Sequence, residues 1–160
     1  MNNYDTTDSQ FPLASNEIRL LAELGFMAAA SGQVAIASEI FDSLIYLRPK
    51  KPFPYVGKSI AFLYVGSIAA AVELLSAASQ VVETDQEQIW IYLALAFQRI
   101  GDLDKARKII DFLLDSGELS KVDEIFARSI LNGNSGADEG LPKPFPVAEM
   151  DTIHSLALAS

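Results

Sequence analysis

Few residues in this sequence could carry covalent chemistry, and their spacing does not support it. The single histidine, His154, stands beside Ser155 and close to Asp151, which are the side-chain types of a nucleophile, its base and an orienting acid. Nucleophilic catalysis needs these groups held rigidly, and we expect this tail to be too mobile for that. Adjacent carboxylates elsewhere are typical of solvated charge rather than of an acid–base pair: Asp123 with Glu124, and Asp138 with Glu139.

No motif indicates a metal, a phosphate or a nucleic acid. The chain has no cysteine, which excludes disulfides and thiolate zinc sites, and one histidine cannot supply the usual set of imidazole ligands. The glycines of segment 133–136 precede neither a strand nor a phosphate-loop lysine. Lys50 and Lys51 are too few for a basic patch, and the net charge of −9 disfavours binding to phosphate groups. We therefore expect no enzyme activity, no cofactor, no metal site and no nucleic-acid partner.

The composition describes a soluble chain with a substantial core. It has 160 residues, of which 50% are hydrophobic and 21% charged, enough for one domain or a small repeat array. The longest uncharged apolar stretch, residues 59–72, is shorter than the roughly 20 residues that a membrane-spanning helix needs. Residues 1–12 lack the basic start and apolar centre of a secretory signal. We expect a cytoplasmic protein without membrane insertion.

Three glycines stand in matching surroundings at a nearly constant spacing. Gly32, Gly66 and Gly101 are 34 and 35 residues apart, and apolar segments of helical period lie before and after each of them. Each glycine is followed five residues later by an alanine: Ala37, Ala71 and Ala106. A glycine there predicts a tight turn with positive φ, and the alanine predicts a close helix crossing. The sequence therefore predicts an all-α fold in which a helix–turn–helix unit is used three times.

The period and the residues of these units resemble those of the tetratricopeptide repeat (TPR). The first unit, 18–51, matches best, with Leu21, Leu24, Gly25, Gly32, Ala37, Phe41, Leu44 and Pro49. The second, 52–85, departs from the family pattern, with Lys58 and Ser59 in place of a large-small pair and Glu83 in place of the closing proline, but keeps Tyr55, Phe62, Gly66, Ala71, Leu75 and Ala78. The third, about 87–120, has Glu118 in place of the closing proline but keeps Trp90, Leu93, Ala94, Phe97, Gly101, Ala106, Ile110 and Leu113. The resemblance implies a short solenoid of three stacked helical hairpins; the alternative is a plain helical bundle.

Local signals predict several helix ends. Asp85 and Asp102 precede apolar-periodic segments and are suited to cap helix N-termini. Ser120 with Asp123 approximates a capping box and opens a seventh helix, about 120–131, which we expect to cover the apolar end of the array. The expected organisation is a mobile N-terminal segment, the array with its capping helix, and a linker with a tail: residues 1–15, 16–131 and 132–160.

In the family that the sequence resembles, the first helices of successive units line a concave face where partners bind. Projecting that face onto this sequence gives the groove set: Phe26, Ala29, Phe53, Val56, Ile60, Leu63, Tyr64, Ile91, Leu95, Gln98 and Arg99. Arg19 and Arg99 are too few to clamp an acidic C-terminus in the manner of some family members. A mostly apolar groove predicts binding of an apolar segment of another protein. The alternative is that the register is slightly shifted and some of these residues are core.

The size, acidic charge, repeat number and apolar groove together resemble the small type III secretion chaperones. These bind translocator, tip or needle subunits before export. The resemblance implies a chaperone that holds an apolar segment of a secreted subunit. Without a client, we expect a second copy to cover part of the groove or the first repeat, which would give a homodimer. The alternative is a TPR scaffold or adaptor that joins folded proteins in a larger assembly.

A short motif occurs twice. Residues 51–54 and residues 143–146 both read Lys-Pro-Phe-Pro, and the prolines restrict the backbone in front of a following helix. After the second copy, apolar residues recur at every third position, which permits a short amphipathic helix: Val147, Met150, Ile153 and Leu156. Either the repetition is coincidental, or the tail docks on an apolar groove of its own or a neighbouring chain in place of a client.

Overall fold

A computed structural model describes residues 13–133 and folds them into seven α-helices. They are α1 (Ser15–Ala30), α2 (Val34–Leu47), α3 (Phe53–Tyr64), α4 (Ile68–Ala78), α5 (Gln86–Ile100), α6 (Leu103–Ser116) and α7 (Lys121–Leu131). No strand occurs within this part of the chain, which confirms the predicted all-α class.

Tight glycine turns join α1 to α2, α3 to α4 and α5 to α6. Gly32, Gly66 and Gly101 have φ angles of +72°, +73° and +89°, as the sequence predicts. The N–H of each glycine donates to the carbonyl three residues earlier, at 3.0 Å, 3.2 Å and 3.1 Å respectively. Only glycine adopts this conformation readily, so the three turns reverse the chain without backbone strain. Each pair of helices is therefore an antiparallel hairpin.

The helices pack in chain order, and the odd-numbered helices also pack on one another. Helix α3 contacts α1, α2, α4 and α5. This crowded position explains why nine of its twelve residues are buried. The two end helices have fewer neighbours, since α1 lies chiefly against α2 and α3, and α7 lies chiefly against α5 and α6.

The ring of Phe41 fills the junction of the first three helices. Phe41 is fully buried on α2, and its ring meets Phe26 of α1 edge-on with centroids 5.1 Å apart. Gly25 on α1 and Gly57 on α3 leave room for this ring, because a Cβ atom on either would press into it. The predicted alanine crossings are also buried, with Ala37 and Ala71 at 0% exposure and Ala106 at 2%.

Two of the predicted helix caps are confirmed and one is wrong. Asp102 accepts a hydrogen bond from the Lys105 N–H at 3.1 Å, and Ser120 Oγ accepts one from the Asp123 N–H at 3.1 Å. Asp85 precedes α5 as expected, but its side chain makes no capping hydrogen bond. Its φ of +53° is left-handed, whereas a capping residue usually has an extended backbone.

Several sequence predictions fall outside the described residues. They are the mobile segment up to residue 12, the linker and tail from residue 134 onward, the carboxylate pair Asp138–Glu139, the second Lys-Pro-Phe-Pro motif and His154.

Candidate partner-binding surfaces

Most of the groove set lies in the hydrophobic core. Eight of its eleven residues are at most 8% exposed: Phe26, Ala29, Phe53, Val56, Ile60, Leu63, Ile91 and Leu95. Tyr64, Gln98 and Arg99 are half-buried. The odd-numbered helices pack directly on one another, so the surfaces expected to face a groove are covered by neighbouring helices. In this conformation the eight residues form core rather than an open apolar channel; partner binding by the set stays a prediction.

Helix α7 covers one end of the groove set. The Gln98 side-chain amide donates to the Ile130 carbonyl at 2.7 Å. The ring of Tyr92 lies 5.6 Å from that of Phe126, and Ala127 and Ile130 of α7 are buried. These contacts hold α7 against α5, so Gln98, which sequence reasoning placed in the groove, meets α7 instead.

Three exposed apolar side chains share one face of α1. Leu20, Leu24 and Met27 are 56%, 45% and 65% exposed, and their spacing of four and three residues places them on one side of the helix. No other described helix exposes three large apolar side chains. We term this face the α1 stripe. An apolar face of this kind on a helix surface is typical of a protein interaction site.

The positions that correspond to the α1 stripe are covered on an inner helix. Counting back from the glycine turns, Leu20 and Met27 correspond to Ile89 and Ala96 of α5, and both of these are 0% exposed. Helix α5 has α4 before it as a packing neighbour, whereas no helix precedes α1 in the described part of the chain. The α1 stripe is therefore an open end of the helix stack.

Sequence reasoning missed the α1 stripe, although a signal was present. Gly25 faces the buried Phe41 ring, which places the core side of α1 at this position. Leu20, Leu24 and Met27 lie away from the core positions Ala22, Phe26 and Ala29. An apolar run on the side of the helix opposite the core is the pattern that predicts an exposed interaction face.

Several ionisable groups of this part of the chain form ion pairs. Lys58 Nζ lies 2.6 Å from Asp42 Oδ1 and 5.7 Å from the centre of the Phe62 ring. Burial raises the pKa of Glu87, with a further contribution from the nearby charge of Asp85. Hydrogen bonds from Lys105 lower the pKa of Asp102, which is half-buried.

Two kinds of site are absent from residues 13–133. No group of three or more acidic, histidine or cysteine side chains there could hold a metal ion. None of the seven helices combines the length and apolar character needed to cross a membrane.

Comparisons of this chain with protein-family models, with curated proteins and with solved structures find no match. Residues 13–133 form an all-helical unit of glycine-turn hairpins with an apolar face exposed on its first helix.

Proposed function

We propose that this chain is a protein-binding module made of three TPR-like hairpins, α1–α2, α3–α4 and α5–α6, followed by α7 as a capping helix. The support is the equivalence of the three glycine turns in φ and hydrogen bonding. Further support is that α3 packs on both helices of the first hairpin, α1 and α2, and that α5 packs on both helices of the second, α3 and α4. Arrays of stacked hairpins serve as extended binding surfaces.

Its proposed task is to hold an apolar segment of a secreted translocator, tip or needle subunit in the cytoplasm, as the chaperones that the sequence resembles do. This proposal rests on the α1 stripe, because an exposed apolar helix face promotes aggregation unless a partner covers it. The groove set then forms the core that supports the stripe, and the client contact lies on α1.

An amphipathic helix is the proposed occupant of the α1 stripe. The corresponding positions of α5, Ile89 and Ala96, are buried in a helix that has α4 as its preceding neighbour. A client helix can take the equivalent place beside α1 and lay side chains of i, i+3 and i+7 spacing on Leu20, Leu24 and Met27. The structure thus favours a helical client segment over an extended one.

Co-expression with a translocator, tip or needle subunit tests this function. We expect the subunit to stay soluble and to co-purify at a fixed ratio. Met27→Glu should abolish this because a charge would face the apolar client, while the circular dichroism spectrum stays helical. Phe112→Glu, at a side chain 72% exposed on α6, is the matched control and should keep the client.

Full client retention by the Met27→Glu variant would refute the α1 stripe as the binding surface. An adaptor would give a different result in the same experiment. It would leave the apolar subunit insoluble and would bind several folded proteins as a stable monomer.

A further inference from the structure

Helix α2 has a row of apolar side chains beside the α1 stripe. A Cβ atom on Gly25 of α1 would lie 3.2 Å from the side chain of Ile40, so Ile40 lies at the contact between the two helices. Ile36 is four residues before Ile40 and Leu47 is seven residues after it, which places all three on one face of α2. Ile36 is 49% exposed, and the other two are half-buried. We term these three residues the α2 wall.

The α2 wall and the α1 stripe lie on the side of the first hairpin that faces away from α3. Towards α3, helix α2 presents the Phe41 ring to Gly57 and pairs Asp42 with Lys58 at 2.6 Å. Ile36 precedes Phe41 by five residues and Asp42 by six, which turns it well away from that side. Two antiparallel helices packed side by side leave a groove between them, and the α1 stripe and the α2 wall form its two sides.

Ile36 has no large apolar equivalent in the other two hairpins. Met27 precedes Gly32 by five residues and Ile36 follows it by four, so the two side chains stand at the same level of the hairpin. Counting forward from the glycine turns, Ala70 of α4 and Lys105 of α6 take the position of Ile36. The fold therefore does not require an isoleucine here. A binding role accounts for a large apolar side chain that is left half exposed beside the α1 stripe.

The groove is uncharged along its centre and acidic along its borders. Residues 24–36, which form the end of the groove near the turn, contain no charged side chain. Glu23 precedes Met27 by one helical turn and borders the α1 stripe, and Glu39 follows Ile36 by three residues and borders the α2 wall. Glu23 is half-buried and Glu39 is exposed. Carboxylates on both sides of an apolar groove complement a ligand with basic groups beside its apolar face.

We propose that the groove between the α1 stripe and the α2 wall binds an amphipathic helix with lysine or arginine on both sides of its apolar face. This inference rests on the proposed function and specifies which client helix the α1 stripe takes. Contact with two helices at once requires a broad apolar face, with residues at i, i+3, i+4 and i+7. The occupant is a helix because the corresponding neighbour of α5 is the helix α4.

Two synthetic peptides test the chemistry of the groove. Each has about 18 residues, enough to form a helix in isolation, with leucine at the contact positions. One carries lysine at the remaining positions and the other carries glutamate. Titration of each labelled peptide with the full chain, followed by fluorescence anisotropy, gives its affinity. We expect the lysine peptide to bind at least about tenfold more tightly, with a difference that shrinks as salt is added.

Ile36→Ala tests the α2 wall, and Val65→Ala is the matched control. Ile36 and Val65 are 49% and 47% exposed, and Val65 follows the last residue of α3, on another hairpin. Because a partner can still cover about half of Ile36, its truncation should weaken binding of the lysine peptide about five- to tenfold. Val65→Ala should leave the affinity unchanged. Ile36→Ala should stay folded, since alanine favours helix and α4 carries Ala70 at this position.

Met27→Ala separates failure of this inference from failure of the proposed function. Weaker peptide binding by Met27→Ala together with unchanged binding by Ile36→Ala would overturn the groove and leave the α1 stripe as the client site. Unchanged binding by both variants would refute the α1 stripe itself. Equal affinity for the two peptides, or no binding of either, would overturn the basic amphipathic helix as the ligand. A dimer that Ile36→Ala dissociates without changing peptide affinity would assign the α2 wall to a second copy and overturn the proposal.

Discussion

Replacing Gly57 by alanine should destabilise this protein, although the same change normally strengthens a helix. Gly57 lies within α3 and is buried against the ring of Phe41. A methyl group at position 57 would overlap that ring directly. The ring has little space to retreat, because it is fully buried and meets Phe26 on another side.

The expected magnitude follows from two opposing effects. Alanine in place of glycine inside a helix contributes about 0.5–1 kcal/mol through backbone entropy and helix propensity. Forcing an extra carbon into a packed core costs about 1–3 kcal/mol. Because Gly57, Phe41 and Phe26 come from three different helices, relief requires one helix to shift. We expect a net loss of about 1–2 kcal/mol in the free energy of unfolding.

Chemical denaturation of the variants measures this loss. Gly25→Ala is a graded comparison, because its Cβ atom would lie 2.9 Å from the Phe41 ring and should be tolerated better. In a Phe41→Leu background the ring is gone, so Gly57→Ala should become neutral or stabilising. The coupling between positions 41 and 57 should then be about 1–3 kcal/mol. The reasoning would be refuted if Gly57→Ala were more stable than the natural protein, which is the result expected from helix propensity alone.

Four further predictions concern packing, charge and assembly. Ala71→Leu should lower the free energy of unfolding by about 1–3 kcal/mol by overpacking a site with 0% exposure, measured by denaturant titration. Leu95→Glu should abolish the helical circular dichroism signal, since an unpaired charge at a 1% exposed site is costly, whereas an open groove would tolerate it. Burial raises the pKa of Glu87 from its ordinary value of 4.5, so the charged carboxylate destabilises the folded state at neutral pH. Glu87→Gln should therefore raise the melting temperature at pH 7. The difference in melting temperature between variant and natural protein should vanish as the pH falls towards 4.5. Without a client, sedimentation at tens of micromolar should show a homodimer that Met27→Glu converts to monomer, and an unmodified monomer would contradict this.

The turns and crossings of the fold could be predicted because they depend on local sequence. Gly32, Gly66 and Gly101 have the positive φ that their spacing and surroundings indicated. The capping of α6 by Asp102 and of α7 by Ser120 also follows from residues within one helical turn. The same prediction was wrong for Asp85, because its left-handed backbone does not place the carboxylate at a capping position.

The candidate binding surface could not be predicted in the same way. Helical periodicity identifies the apolar faces of a helix but does not say which of them another helix covers. Leu95 and Met27 both lie on apolar faces, yet their exposures are 1% and 65%. The difference arises because α5 packs between earlier and later helices and α1 stands at an end of the stack. Which helix covers a face is decided by non-local packing.

The Phe41 ring also determines how rigidly the α1 stripe is held for the proposed client. The ring belongs to α2 but lies against Gly25 of α1 and Gly57 of α3, so it joins three helices at one point. Helix α1 cannot swing away from α3 without opening a void around this side chain. The α1 stripe consequently lies on a stiff, pre-organised helix. A client that docks there pays little entropy for ordering the receiving surface, and its release requires no unfolding of the first hairpin.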